Sequence, residues 1–213
     1  MSLFITGTDT GVGKTFVTSL LLRALNEAGT RAAGFKPICC GGRDDVALLH
    51  SAGASGITED AINPVWLRTP AAPYAACMIE NRQINLEHIQ RAFRSLADAC
   101  DVVLVEGAGG WEVPITRDYN MADLAADFGL PVIVVVNNRL GALNHTLLTV
   151  KAIQSRGLQC AGIILNHVDI ERHSATITNR AILEDMLETP VLLDVMHGET
   201  EVVTPREIFE LLK

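Results

Sequence analysis

The sequence predicts an α/β fold, a mainly parallel β-sheet flanked by helices on both faces, and three observations predict it. Short apolar runs recur along the chain, a segment with helical spacing follows each of them, and the first run leads through a glycine-rich loop into a helix. Runs that are apolar at every position suit strands buried on both faces, which are those of a parallel sheet. Regular alternation of such strands with helices is the pattern of an α/β sandwich. The chain has 213 residues, 48% of them apolar and 20% charged, enough for one compact domain with a sizeable core. Residues 1–213 are therefore expected to form a single domain.

Taken in order, LFIT (3–6) reads as the first strand. The helix after it is expected to start near Gly13 and to carry Val17, Leu20, Leu21, Ala24 and Leu25 on one face. Gly29 suits its C-terminal cap. Further strands are read in RAAGFK (31–36), DVVLVE (101–106), PVIVVV (131–136) and AGIILN (161–166). Helices are expected over 85–100, 144–157 and 171–187, and a shorter one within 119–129, with Asn120 as N-cap and Gly129 as the stop. Asp44 and Asp45 open another helix, where acids favour the N-terminus. Segments 36–45 and 67–76 are rich in Gly, Pro and small residues and read as loops. Thr204 and Pro205 stand where a cap and a first helical residue are favoured, so a short C-terminal helix is expected.

The net charge of −8 and the absence of a Lys/Arg cluster argue against nucleic acid as a partner and for a small molecule. The longest strongly apolar stretch, Leu130 to Val136, is far short of the roughly 20 residues a membrane span needs. Met1 to Ile5 lacks a basic n-region and a cleavage signal. A soluble cytoplasmic protein without a membrane partner is expected. Five cysteines, with no CxxC spacing and no clustering with His, read as reduced thiols rather than a zinc site.

The chemistry starts at Gly7–Thr15, GTDTGVGKT. A phosphate cradle needs glycines for close backbone approach, a lysine, and a hydroxyl residue after it for a metal ion. Counting back from Gly13, the first glycine is Gly7, one residue further than GxxxxGK[ST] allows, yet the strand-loop-helix context is that of a P-loop. The amides from Gly11 to Thr15 would face phosphates at a helix N-terminus, and Thr15 would offer its hydroxyl to Mg²⁺. Glu106 ends an apolar strand and precedes GAGG, which lets a ligand lie against the backbone. An ordinary strand-terminal acid beside a turn fits that spacing as well. Lys36, fixed by Pro37 at the second strand's end, is either a second cation for the same edge or a solvated surface charge.

Together, GTDTGVGKT, the KP at 36–37, EGAGGW (106–111) with Pro114, LGALNH (140–145) and the strand-ending Asn166 resemble dethiobiotin synthetases in order and separation. The likeness runs from residue 4 to about 168. It implies a single-domain P-loop NTPase-like fold and an ATP- and Mg²⁺-dependent ligase that closes a cyclic urea on 7,8-diaminononanoate. CO2 would be captured as a carbamate, activated by the γ-phosphoryl group as a mixed carbamic-phosphoric anhydride, and attacked by the neighbouring amine.

The resemblance also implies roles. Lys14 and Lys36 would stabilise the transferring phosphoryl and carbamate charge, and Thr15, Asp45 and Glu106 would hold Mg²⁺. Gly11, Val12, Gly13, Phe16, Gly107, Ala108, Gly109 and His167 would join them around ATP, with Asn166 reading adenine. Thr10, Cys40, Gly110 and Asn144 would face the diamine, Asn144 from the partner subunit of a homodimer with a shared site. A plain helix cap accounts for Asn144 equally well. His145 is read as packing or capping rather than acid/base.

Three features depart from the family pattern. Cys40 stands where a hydroxyl is usual and would make a weaker hydrogen bond. The 37–45 connection is short, and MHGETEVVTP follows TPVLLDV where the family has a glycine and a proline beside the base. Other readings are a different P-loop ATPase of the superfamily and a nucleotide-binding module without catalysis. A partitioning ATPase would carry a second lysine early in the loop, and residues 8–12 have none.

Overall fold

The computed structural model describes residues 2–170, 173–202, 208 and 210. Its main sheet has six strands: β1 (Leu3–Gly7), β2 (Ala32–Phe35), β5 (Val102–Glu106), β6 (Val132–Asn137), β7 (Cys160–Asn166) and β8 (Val191–Val195). They lie in the order β2-β5-β1-β6-β7-β8, and every pairing is parallel. β1 is central and alternates its side chains between two cores. Leu3 and Ile5 pack with Val17, Leu21 and Leu25 of α1 (Lys14–Glu27), whereas Phe4 packs with Leu124, Val150 and Ile153 on the other face. The sheet is covered on both faces, as the continuous apolar runs predict.

The remaining helices are α2 (Asp44–Ala52), α3 (Glu59–Ile62), α4 (Pro73–Glu80), α5 (Leu86–Ala99), α6 (Met121–Phe128), α7 (Ala142–Ser155) and α8 (Ser174–Met186). Asn120 caps α6 in a reciprocal capping box, and Gly129 ends it in the left-handed region at φ 62. Among the described residues no helix is long and apolar enough to cross a membrane, and all five cysteines are free.

The structure corrects several boundaries. Segment 36–45 is not all loop, because β3 (Ile38–Cys40) pairs in parallel with β4 (Val65–Leu67) in a second, two-stranded sheet. Three residues between Pro37 and Gly41 are too few to show a strand period; their partner, distant in sequence, makes them a strand. Segment 67–76 is split likewise: Leu67 ends β4 and Pro73 opens α4, its missing N–H harmless at the first helical position. β8 had no counterpart in the sequence reading. α7 begins before Asn144, at Ala142, with Gly141 as N-cap, so Asn144 is not a helix cap. The C-terminal helix expected from Thr204 and Pro205 lies outside the described residues, as do residues 171 and 172 of the helix expected over 171–187.

Candidate active site

Because the strands are parallel, Gly7, Phe35, Glu106, Asn137 and Asn166 all end at one edge of the sheet, where ligands of open α/β folds bind. The loop after β1 turns there through Gly11 (φ 74) and Gly13 (φ 85). Gly13 is required twice over. Its φ is left-handed, and a Cβ would stand 2.1 Å from Asn166 Nδ2. That Asn166 nitrogen donates to the Val12 carbonyl at 2.9 Å, so the end of β7 braces the loop.

α1 opens on Gly13 with no side-chain cap, which leaves its first-turn amides free for an anion. Lys14 is buried and folds back to donate from Nζ to the Asp9 carbonyl at 3.0 Å. Burial, with the Lys36 charge adding to it and Glu106 opposing, lowers its pKa to about 8.

Beside the loop lies a compact charged cluster. Lys36 Nζ donates to Glu106 Oε1 at 2.5 Å and to Asp45 Oδ2 at 2.8 Å, and Thr15 Oγ1 donates to the same Glu106 oxygen at 2.7 Å. Burial alone would make Lys36 easier to deprotonate, but the two carboxylates outweigh it and raise its pKa above the ordinary lysine value. Burial likewise opposes ionisation of Asp45, and Lys36 wins, holding that carboxyl below its usual range. Glu106 is fully buried and its Oε2 has no hydrogen-bond partner among the described residues. An orphaned buried carboxylate oxygen beside a hydroxyl and a second carboxylate is the hard-oxygen donor set a cation such as Mg²⁺ takes along with phosphate.

The small sheet sets where Asp45 stands. Trp66 Nε1 donates to the Gly41 carbonyl at 2.8 Å and Gly41 N donates to the Leu67 carbonyl at 2.9 Å, which clamps the turn between Cys40 and α2. Three cavities surround the loop. One of about 420 Å³ is lined by Thr10, Lys36, Cys40, Asp45, Ala108 and Gly109, with Pro73 and Val113 on its apolar side. A second, about 560 Å³, shares Thr10 and Val113 with it and adds Gly110, Trp111 and Leu148. A third, about 260 Å³, lies across the loop against Gly13, Phe16, Asn166, His167, Val168, His197 and Gly198.

Most residues singled out in the sequence thus converge on one crevice. Gly107 does not: its Cα faces Phe4 and Met121, and a Cβ would meet both at 3.2 Å. Asn144 lines none of these cavities and is exposed on α7. His145 is also exposed, so the packing reading does not hold for it. His167 is tied sideways, its Nε2 3.2 Å from both Asp194 Oδ1 and Asn138 Nδ2. Cys40, half-buried, has a thiol pushed up to about 11 by burial. Sequence reasoning missed His197 and Val168; the unusual tail after β8 was the only signal for the first.

A parallel sheet, a glycine loop with a buried lysine, and a lysine-carboxylate cluster at the strand ends define a P-loop nucleotide-binding protein built for phosphoryl chemistry. Among solved structures, the septum site-determining protein MinD with Mg-ADP from Pyrococcus horikoshii aligns with a TM-score of 0.57 at 20% identity, over 93% of this chain and 82% of that one. A ParA family ATPase from Chlorobium tepidum also aligns at 0.57, with 15% identity over 92% and 84% of the two chains. These share the fold. Residues 1–200 match a family model described as an AAA domain. The ATP-dependent dethiobiotin synthetase BioD of Akkermansia muciniphila is 48% identical over 93% of each chain. The protein of the same name from Aromatoleum aromaticum is 43% identical over 91% of this chain and 89% of its own. The chain belongs to the ATP-dependent dethiobiotin synthetase family.

Proposed function

We propose that this chain converts 7,8-diaminononanoate and CO2 to dethiobiotin at the expense of ATP, with the crevice around Lys36 as its active site. The observation that carries the residue assignment is the Lys36-Glu106-Asp45-Thr15 cluster, wedged between the glycine loop and a cavity with polar and apolar walls. Cyclic urea formation through a carbamate and a mixed anhydride needs charge neutralisation and positioning, with no protein nucleophile. Lys36, kept cationic by its two carboxylates, holds the carbamate and the transferring phosphoryl oxygens. Lys14 and the amides of Gly11, Val12, Gly13, Thr15 and Phe16 hold the phosphate chain, and Ala108 and Gly109 close the site from the β5 side.

Thr10, Cys40 and Gly110 flank the diamine, whose alkyl chain runs along Pro73 and Val113. The third cavity takes adenine, with Asn166 matching its donor and acceptor edge. Thr15, Asp45 and Glu106 would hold Mg²⁺, a reading supported by the orphaned Glu106 Oε2. Bound there, the ion would neutralise and orient phosphate charge.

A homodimer completes the site in this reading. Asn144 and Leu148 are both exposed, Leu148 by 60%, and follow a four-residue spacing along one face of α7 beside the second cavity, while Leu140, 86% exposed, stands just before that helix. From a second copy, Asn144 would reach the substrate carboxylate. Five free thiols suit the cytoplasm, where we place the protein. The test is to incubate pure protein with 7,8-diaminononanoate, bicarbonate, Mg²⁺ and ATP, following phosphate release and the mass of the cyclic urea. Both must appear and both must require the diamine; phosphate without urea would overturn the reading.

A further inference from the structure

The tail after β8 departs from the family pattern, and the structure shows what it puts in place. Met196–Glu199 is a tight turn: Glu199 N donates to the Met196 carbonyl at 3.1 Å, and Met196 N donates to Glu199 Oε2 at 2.7 Å. Gly198 takes the left-handed φ of 74 that the turn demands. Held in this turn, His197 lies 2.6 Å from the Val168 carbonyl through its Nδ1 and forms part of the wall of the third cavity. A carbonyl only accepts, so Nδ1 carries the proton and the neutral imidazole keeps its lone pair on Nε2.

Asn166 stands in the same wall under a matching constraint. Its Nδ2 is spent in part on the Val12 carbonyl, and a flip of the amide would set two oxygens against each other. Its Oδ1 therefore stays the acceptor on the cavity side, and like His197 Nε2 it has no partner among the described residues.

We propose that His197 is a nucleobase-specificity residue: pinned to the Val168 carbonyl, its Nε2 joins Asn166 Oδ1 as a fixed acceptor that favours a 6-amino purine over a 6-oxo purine. The 6-amino group donates two hydrogens, whereas a 6-oxo group only accepts and would face two lone pairs. The inference rests on the reading of this cavity as the base site, and the experiment separates the two.

Binding of ADP and IDP by titration calorimetry, and kcat/KM for ATP and ITP, are measured at pH 8 for the parent, His197→Ala, His197→Phe and Phe16→Ala. The parent should favour adenine. Both His197 variants should lower the adenine-to-hypoxanthine ratio about fivefold, the worth of one hydrogen bond, chiefly by weakening the adenine nucleotide. If His197→Phe keeps the parent ratio, the acceptor role is overturned, since phenylalanine retains a ring and lacks the lone pair. Phe16→Ala should weaken ADP and IDP alike. If it weakens neither, the base lies elsewhere and the cavity assignment fails along with the inference. If it weakens both while the His197 variants keep the ratio, only the inference fails.

Discussion

Lys36 Nζ stands 2.5 Å from Glu106 Oε1, joining the end of β2 to the end of β5 inside a site from which Glu106 is wholly shielded. A buried carboxylate needs this cation, and the cation needs the carboxylate to stay charged. Replacing Lys36 with Met should lower turnover about 100-fold or more, the usual loss when a charge-stabilising group is removed from a transition state. It should also lower unfolding stability by about 3 kcal/mol, because an unpaired buried charge remains. Turnover and denaturant unfolding of the same variant check both figures; near-parent values of either would break the assignment.

Lys14 gives a pH signature of known sign. Its pKa falls from 10.5 to about 8 on folding, chiefly through burial. Between those values the unfolded chain binds the extra proton, so stability should rise with pH across that window. Below about pH 8 both states are charged and the slope vanishes. Lys36 adds nothing in this range, because its raised pKa leaves it charged in both states there. Phosphate binding should restore the Lys14 charge, so ADP titrated at pH 8.5 should take up protons, seen by calorimetry in buffers of different ionisation heat. Lys14→Met should abolish both effects.

Gly13→Ala should remove nucleotide binding. The substitution strains a φ of 85 and drives Cβ onto Asn166 Nδ2. Gly29→Ala strains a similar φ, yet its Cβ would meet nothing within 4 Å. Fluorescent ADP binding should therefore be lost in the first variant and kept in the second, with both proteins folded by circular dichroism.

Cys40→Ser should lower KM for the diamine a few-fold with kcat little changed, because a hydroxyl hydrogen-bonds better than a thiol. The parent thiol, pushed up to about 11, should react slowly with iodoacetamide at pH 7.5, and substrate should slow it further.

Leu148→Glu puts a charge on the exposed face of α7 beside the second cavity. If the proposed homodimer forms through this face, the parent should scatter as a dimer and the variant as a monomer, with a raised KM for the diamine and unchanged ADP affinity. A variant that stays dimeric would move the interface elsewhere.

The sheet was readable because its strands are long apolar runs with a glycine loop after the first, and five of its six strands lie where those runs are. Local signals also placed α6, whose N-cap Asn120 and terminal Gly129 bracket one short segment. What escaped is non-local. β3 and β4 exist only by pairing with each other, and β8 is only partly buried along its length. From spacing alone Lys36 stayed open between a second cation for the site and a surface charge, and Glu106 between a ligand-side acid and a plain strand-end acid, because seventy residues separate them and only the parallel register closes that gap.

By itself, the sequence determined the α/β layering, the phosphate loop and the family, since these rest on short-range periodicity, glycine placement and ordered motifs. Tertiary structure alone decided which acids pair with Lys36 and that Glu106 keeps one oxygen unpartnered. It also decided that Asn144 belongs to an exposed helix face rather than a cap, and that His197 reaches the wall beside Asn166. The physical reason is the same throughout: charge pairing, desolvation and hydrogen-bond direction depend on distances across the fold, which spacing along the chain does not encode.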